Sequence, residues 1–86
     1  MATLQENLIR WKTDEIEDLK RLVAKYAGEA DAHQEDVDRF TSAKHADQEA
    51  SKTSKHWRNF YQQKEGHCRQ QLFKRQIELR KLQAAT

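Results

Sequence analysis

Apolar residues recur along the first half of the chain at alternating gaps of three and four positions. This heptad spacing is typical of a helix that packs along one stripe against another helix. Thr3 and Glu6 form a capping box, which indicates a helix start because each side chain can satisfy a free backbone amide of the first turn. The positions in this register are Ile16, Leu19, Val23, Tyr26, Ala30, His33, Val37 and Phe40.

A second apolar stripe begins at Trp57 and runs to Leu82. Its spacing is closer to eleven residues than to seven, since Trp57, Cys68 and Leu79 are each eleven positions apart. An eleven-residue period drifts little on a straight helix, so this segment is predicted to form one nearly straight, packed helix. Alternating runs of β-branched residues are absent from the sequence, which makes strands an unfavourable prediction.

The segment between the two stripes, residues 42–55, lacks large apolar side chains and contains several residues that make good helix N-caps. We therefore predict a single helical domain over residues 1–86. Within it we expect a helix at 3–47, a turn at 48–53 and a second helix at 54–84.

The predicted fold is all-α: an antiparallel, coiled-coil-like hairpin of long helices, which we expect to be oligomeric. In such a hairpin, positions whose numbers sum to about 101 or 102 oppose each other, so that Leu19 faces Leu82. The alternative is a monomeric three-helix bundle with breaks near Gly28 and Ser51, because glycine often ends a helix and serine often begins one.

Composition favours long helices around a thin core. Leu, Ile, Val and Phe make up only 15 of 86 residues, which is few for a domain of this size. The chain has no Pro and two Gly, so helix breakers are scarce. The residues expected to hold the fold are Leu19, Val23, Phe40, Trp57, Tyr61, Leu72, Leu79 and Leu82.

Two sets of apolar residues are left over in this hairpin. The first set, at the start of the first helix, extends beyond the end of the second helix: Leu4, Leu8, Ile9 and Trp11. The second set lies on the second helix, opposite its main stripe: Phe73 and Ile77. Unburied apolar surface usually marks an interface. The sequence therefore predicts a non-enzymatic protein-interaction or assembly module that presents apolar helix faces to itself or to a helix of another protein. Its expected interface residues are Leu4, Leu8, Ile9, Trp11, Phe73 and Ile77.

Charge is divided into blocks along the chain. Residues 1–30 carry a net charge of −1, residues 31–50 carry −4 and residues 51–86 carry +7. The basic block interleaves with aromatic residues, which supports an alternative function as a small nucleic-acid-binding protein. Most of those aromatics are needed for the core, so this function stays the alternative. The residues that would carry it are Lys55, Arg58, Lys64, Arg69, Lys74, Arg75, Arg80 and Lys81.

Histidine and cysteine raise the question of a metal site. The expected hairpin opposes His33 to His67 and Cys68, but the chain has no sequence motif of a known metal site. We therefore interpret His33 and Cys68 as packing residues. Catalytic motifs are absent as well, so we expect neither an enzyme nor a cofactor.

The chain has one cysteine, which excludes an internal disulfide and favours an intracellular, most simply cytoplasmic, protein. No apolar run approaches the ~20 residues that span a bilayer, so we expect no membrane association.

Overall fold

The computed structural model describes residues 2–42, 44 and 46–85. It contains two long helices, α1 (Leu4–Thr41) and α2 (Gln48–Ala84), and no strand within those residues. The helices pack antiparallel along their lengths, so the chain is an elongated helical hairpin of 64 × 19 × 14 Å. The prediction of an all-α hairpin with long helices is confirmed to that extent.

Both helices begin at side-chain caps. The Thr3 hydroxyl accepts a hydrogen bond from the amide of Glu6 at 3.1 Å, as the capping box predicts. Asp47 caps α2 by accepting from the amide of Ala50 at 3.0 Å. The amide of Asp47 in turn donates to the carbonyl of Phe40 at 2.9 Å, which ties the start of α2 to the last turn of α1.

The predicted turn at 48–53 is wrong, because the connection between the helices lies at residues 42–47. Ser51 and Ser54 belong to the segment rich in good N-cap residues, yet both are buried inside α2, at 6% and 7% exposure. Asp47 supplies the cap instead, and its negative charge also suits the positive end of the helix dipole. The two serines are small residues buried in the seam between the helices.

Helix α1 continues through Gly28 without a break, and α2 continues through Ser51. The alternative of a three-helix bundle is therefore wrong. Neither glycine of the chain has a positive φ, so the backbone at Gly28 is ordinary helix. Val23 and Ala30 are buried on either side of it, and their packing offsets the cost of about 1 kcal/mol that a glycine adds in a helix.

The seam of α1 follows the predicted heptad. Its four buried residues, Ile16, Val23, Ala30 and Val37, are seven positions apart. The intervening positions of the predicted series are half-buried, including Leu19 and Phe40. One continuous stripe of α1 is thus covered by α2 over nearly its whole length.

The seam of α2 also has a period of seven, and the eleven-residue interpretation is wrong. Its positions follow gaps of three and four and are all buried or half-buried. Several of them are polar, which hides the heptad in a scan for apolar residues. The seam residues of α2 are Ser51, Ser54, Arg58, Tyr61, Glu65, Cys68, Leu72, Arg75, Leu79 and Leu82.

The register between the helices differs from the predicted one. Observed cross-helix pairs have residue numbers that sum to between 87 and 94, as in Gln5 with Leu82 and His33 with Tyr61. The predicted pairing of Leu19 with Leu82 is wrong. The turn lies six residues earlier than predicted, and moving the fold-back point by six lowers the sum by about twelve.

An aromatic stack crosses the middle of the seam. The ring of Tyr61 stacks on His33, with centroids 5.6 Å apart, and on Tyr26 at 6.2 Å. Tyr26 and His33 are two turns apart on α1, and the buried Ala30 lies between them. A large side chain of α2 thus fits between two turns of α1 above a small residue, as knobs-into-holes packing requires.

The continuity of α1 can be tested at its glycine. We expect Gly28→Ala to raise the free energy of unfolding by about 0.5–1 kcal/mol, because an added Cβ meets nothing within 4 Å and alanine favours helix. Gly66→Ala is the matched control on α2, where the space is equally open. Urea denaturation measures both. A loss of stability confined to Gly28→Ala would indicate that the helix ends there.

Candidate interaction surface

Two surface grooves run between the helices on one long side of the hairpin. The larger, about 400 Å³, lies near the open end and is lined by Leu8, Lys12, Glu78, Lys81, Leu82 and Ala85. The second, about 270 Å³, is lined by Glu15, Asp18, Leu19, Gln71 and Arg75. Because both grooves contain residues of both helices, they fix which helix positions share this side. We call it the groove side.

The seven-residue repeat extends this assignment along the hairpin, since positions seven apart return to the same side of a packed helix. On α1, Leu8, Glu15 and Leu22 are spaced seven residues apart. On α2, Trp57, Lys64, Gln71 and Glu78 have the same spacing. Among the described residues, seven large apolar side chains are exposed, and six of them lie on this side. These six are Leu4, Leu8, Trp11, Leu22, Trp57 and Phe60.

The opposite long side, here called the polar side, has a different character. Arg58 of α2 donates a hydrogen bond across to the side-chain oxygen of Gln34 on this side, at 2.8 Å. Arg69 donates to Glu65 beside it, at 2.7 Å. Within the described chain, the one exposed large apolar residue away from the groove side is Phe73, at 63% exposure. Apolar exposure is therefore concentrated on one side of the hairpin.

The structure brings together three of the predicted interface residues, Leu4, Leu8 and Trp11, on the groove side. Ile9 is half-buried in the seam, and Phe73 and Ile77 lie away from this group. The expectation that the N-terminal residues overhang without a partner is wrong. The two helices have nearly equal lengths, 38 and 37 residues, so Leu8 lies in a groove with Leu82 and Ala85.

Sequence reasoning missed three residues of this surface, Leu22, Trp57 and Phe60. Trp57 was expected in the core, but its exposure is 41%. The signal that identifies it is the heptad register of α2, which places Tyr61 in the seam and Trp57 beside it. That register is visible only if Arg58 and Glu65 are accepted as seam positions.

The exposed aromatics near the turn form an ordered cluster. Trp57 meets Phe60 edge to face with centroids 5.6 Å apart, and Phe60 meets Tyr61 in the same manner at 5.2 Å. The ammonium group of Lys64 lies 5.2 Å from the centre of the Phe60 ring. The cluster is anchored through Tyr61 in the seam, so its outer rings are presented on a supported surface.

Between the aromatic cluster and the open end, charged residues join the two helices. The Lys12 ammonium donates to a Glu78 carboxylate oxygen at 2.6 Å, and Arg75 approaches Glu15 at 3.1 Å and Glu78 at 3.2 Å. The hydrogen bond from Lys12 lowers the pKa of Glu78, helped by the nearby charges of Lys12 and Arg75 and partly opposed by desolvation. These contacts join α1 to α2 at that level.

The residues assigned to nucleic-acid binding are distributed around the hairpin. Arg58, Arg69 and Arg75 bond to side chains of the same chain. The others are exposed, but on different sides of α2: three of them, Lys64, Lys74 and Lys81, belong to the groove side. The last two are Lys55 and Arg80. The structure brings the basic residues together only in part.

The histidines and the cysteine are not assembled into one site. His33 stacks on Tyr61, His67 is exposed beside Phe60, and Cys68 is buried in the seam. The predicted opposition of His33 to Cys68 is wrong because the register differs; His45 lies outside the described residues. In the described part of the chain, no three His, Cys, Asp or Glu residues are grouped closely enough to hold a metal ion.

Neither described helix has a segment apolar enough to cross a membrane.

The chain matches no protein-family model, and it has no significant match among curated proteins or solved structures.

The Lys12–Glu78 pair predicts a pH dependence of stability. Because the folded state lowers the pKa of Glu78 below its usual 4.5, the pair stabilises the fold above that pH and ceases to do so as pH falls through the lowered value. We expect Glu78→Gln to melt below the parent at pH 7 and the gap to close at acidic pH. Thermal denaturation from pH 7 to pH 2.5 measures it.

Lys12→Gln serves as the companion variant, because the hydrogen bond needs both partners. It should reproduce most of the gap at neutral pH, and adding Glu78→Gln to it should remove only the smaller remaining contribution of the Arg75–Glu78 pair. A gap between parent and Glu78→Gln that stays constant across the pH range would contradict this account.

Proposed function

We propose that this protein is a helical interaction module that binds a protein partner through the groove side of its hairpin and has no catalytic activity of its own. In this role it resembles a small assembly or chaperone-type subunit, whose activity is to cover or join other helices. The partner is a second copy of the chain or a helix of another protein.

The observation that carries the proposal is the one-sided exposure of large apolar residues. Single apolar residues scattered over a surface are ordinary, whereas a concentrated set marks an interaction site. Here Trp11 is 54% exposed at the open end, and Trp57 and Phe60 are 41% and 38% exposed towards the turn. Among the residues that the structure describes, the polar side exposes one large apolar side chain, Phe73, which lies apart from the other six.

The chemistry of these residues suits protein binding. Tryptophan is among the residues that contribute most to protein interfaces, because a large rigid ring buries much area for little lost entropy. Trp11 and Trp57 are therefore the expected anchors. The charged pairs between them, such as Lys12 with Glu78, would form the polar centre of the interface and would align the partner along the hairpin.

The shape of the surface supports binding rather than catalysis. The grooves are open troughs between two helices, and each is lined by residues that already pair with one another, such as Arg75 with Glu15. A reaction site needs a nucleophile, acid or base positioned beside a substrate-sized cavity. Binding of a partner helix by apolar contact needs no such positioned group, and the exposed apolar side chains of the groove side are sufficient for it.

Photo-crosslinking from defined positions tests this proposal. A benzophenone amino acid is placed at Trp11 or Trp57, and at Phe73 as the matched control, which is aromatic and at least as exposed but lies off the groove side. After irradiation in cells, we expect protein adducts from positions 11 and 57, resistant to nuclease and degraded by protease, and few from position 73.

The mass of the adduct separates the two classes of partner. Twice the mass of the chain identifies a second copy, and any other defined mass identifies a different protein; both agree with the proposed function. Equal adducts from all three positions, or none from positions 11 and 57, would contradict it. Nuclease-sensitive adducts would transfer the assignment to the nucleic-acid alternative.

A further inference from the structure

We propose that the groove side binds a second copy of this chain, with the open ends of both hairpins at the same end of the dimer. In this arrangement α1 of each copy lies against α2 of the other and the four helices form one bundle. The inference rests on the proposed function and names its partner.

The thin core of the single hairpin is the first argument. Its buried hydrophobic residues are Ile16, Val23, Ala30, Val37 and Cys68, and within the described chain no large side chain is completely buried. Small domains that cannot bury enough apolar surface alone are commonly stabilised by association. Covering the groove side would add two tryptophans and a phenylalanine to the buried set.

The size of the groove side meets the requirement of a stable dimer. The hairpin is 64 Å long and 19 Å wide, so its broad face projects roughly 1,200 Å², while standard interfaces bury about 800 Å² per partner. Two-thirds of the face would therefore suffice. Trp11 and Trp57 lie towards opposite ends of it, so an occupant that covers both must itself be long, as a second hairpin is.

Charge selects the orientation. On the groove side, with the groove-lining Lys12 included, the α1 row has four acidic and three basic residues, a net charge of −1: Lys12, Glu15, Asp18, Lys25, Glu29, Asp36 and Arg39. The α2 row of the same side has a net charge of +3, from Lys64, Lys74, Arg75, Glu78 and Lys81. A two-fold axis along the hairpin places each acidic row against the basic row of the partner, whereas an axis across the hairpin places like rows together.

The levels of individual residues agree with that axis. The residue numbers of cross-helix pairs sum to between 87 and 94, and residues paired in this way lie at the same level along the hairpin axis. Lys74 therefore lies at the level of Asp18, and Lys64 at the level of Glu29. With the open ends together, residues at the same level meet across the interface, so Lys74 faces Asp18 of the other copy and Lys64 lies between Lys25 and Glu29 of the other copy. Trp57 meets the level of Ala32, so a large side chain faces a small one.

Sedimentation and a distance measurement test the partner and the orientation together. We expect the parent chain to sediment at twice its 10.2 kDa. Leu22→Glu should raise the dissociation constant more than tenfold, because it places an unpaired charge in the buried face, while Phe73→Glu should not change it. Circular dichroism confirms that both variants stay helical. A parent that is monomeric at all concentrations would exclude the second copy, and adducts with another protein would leave the proposed function standing.

Orientation is measured with one spin label per chain at Gln48→Cys in a Cys68→Ala background. Gln48 is exposed at the turn end of α2. Two labels at the same end of a four-helix bundle should be about 20–40 Å apart, since each helix is 10–12 Å across. A distance close to the 64 Å length of the hairpin would show opposite orientation and overturn the proposed arrangement.

A charge exchange between copies provides an independent check. Asp18→Lys and Lys74→Glu should each weaken the dimer about three- to tenfold, because each places two like pairs across the interface. An equimolar mixture should recover the affinity of the parent, since the heterodimer then contains two opposite-charge pairs. Failure of the mixture to recover, with both variants folded, would contradict the proposed contact of α1 with α2.

Discussion

The structure depends on the seven-residue register in which α2 packs along α1, and that register is set where α2 begins. Asp47 caps α2 through Ala50 and is bonded to the last turn of α1 through Phe40, so the fold-back point is held from both sides. Each later seam position follows at gaps of three and four. A different cap would shift every cross-helix pair, as the difference between the predicted and observed sums illustrates.

This register determines which side chains are hidden and which are presented. Polar and small residues occupy seam positions of α2, where Ser51 and Ser54 are buried and Arg75 bonds to acids of both helices. No side-chain nitrogen or oxygen buried in the described chain lacks a hydrogen-bond partner, so the polar seam is compatible with folding. Its consequence is that Trp57 and Phe60, which could have filled a core, lie outside it.

The same partition links the fold to the proposed activity. A seam that buries mainly Ile, Val, Ala and Cys leaves the largest side chains for the surface, and the heptad collects six of them on one long side. The opposite side carries polar residues such as Gln34 and Arg69, which suit solvent. An apolar side between two helices is suited to a further pair of helices, because association buries the area that the hairpin cannot bury alone.

The sequence alone determined the helical class, the first-helix cap at Thr3 and the α1 seam from Ile16 to Phe40, because these follow from local propensity and short-range periodicity. The turn position, the inter-helix register and the exposure of Trp57 were decided by tertiary structure. Judged from local sequence, Ser51 and Ser54 are as good helix caps as Asp47. Arg58 and Glu65 are charged, so the sequence predicts them at the surface, and only packing against α1 places them in the seam. Packing between distant segments selects among such locally equal choices, because only the complete set of cross-helix contacts distinguishes their energies.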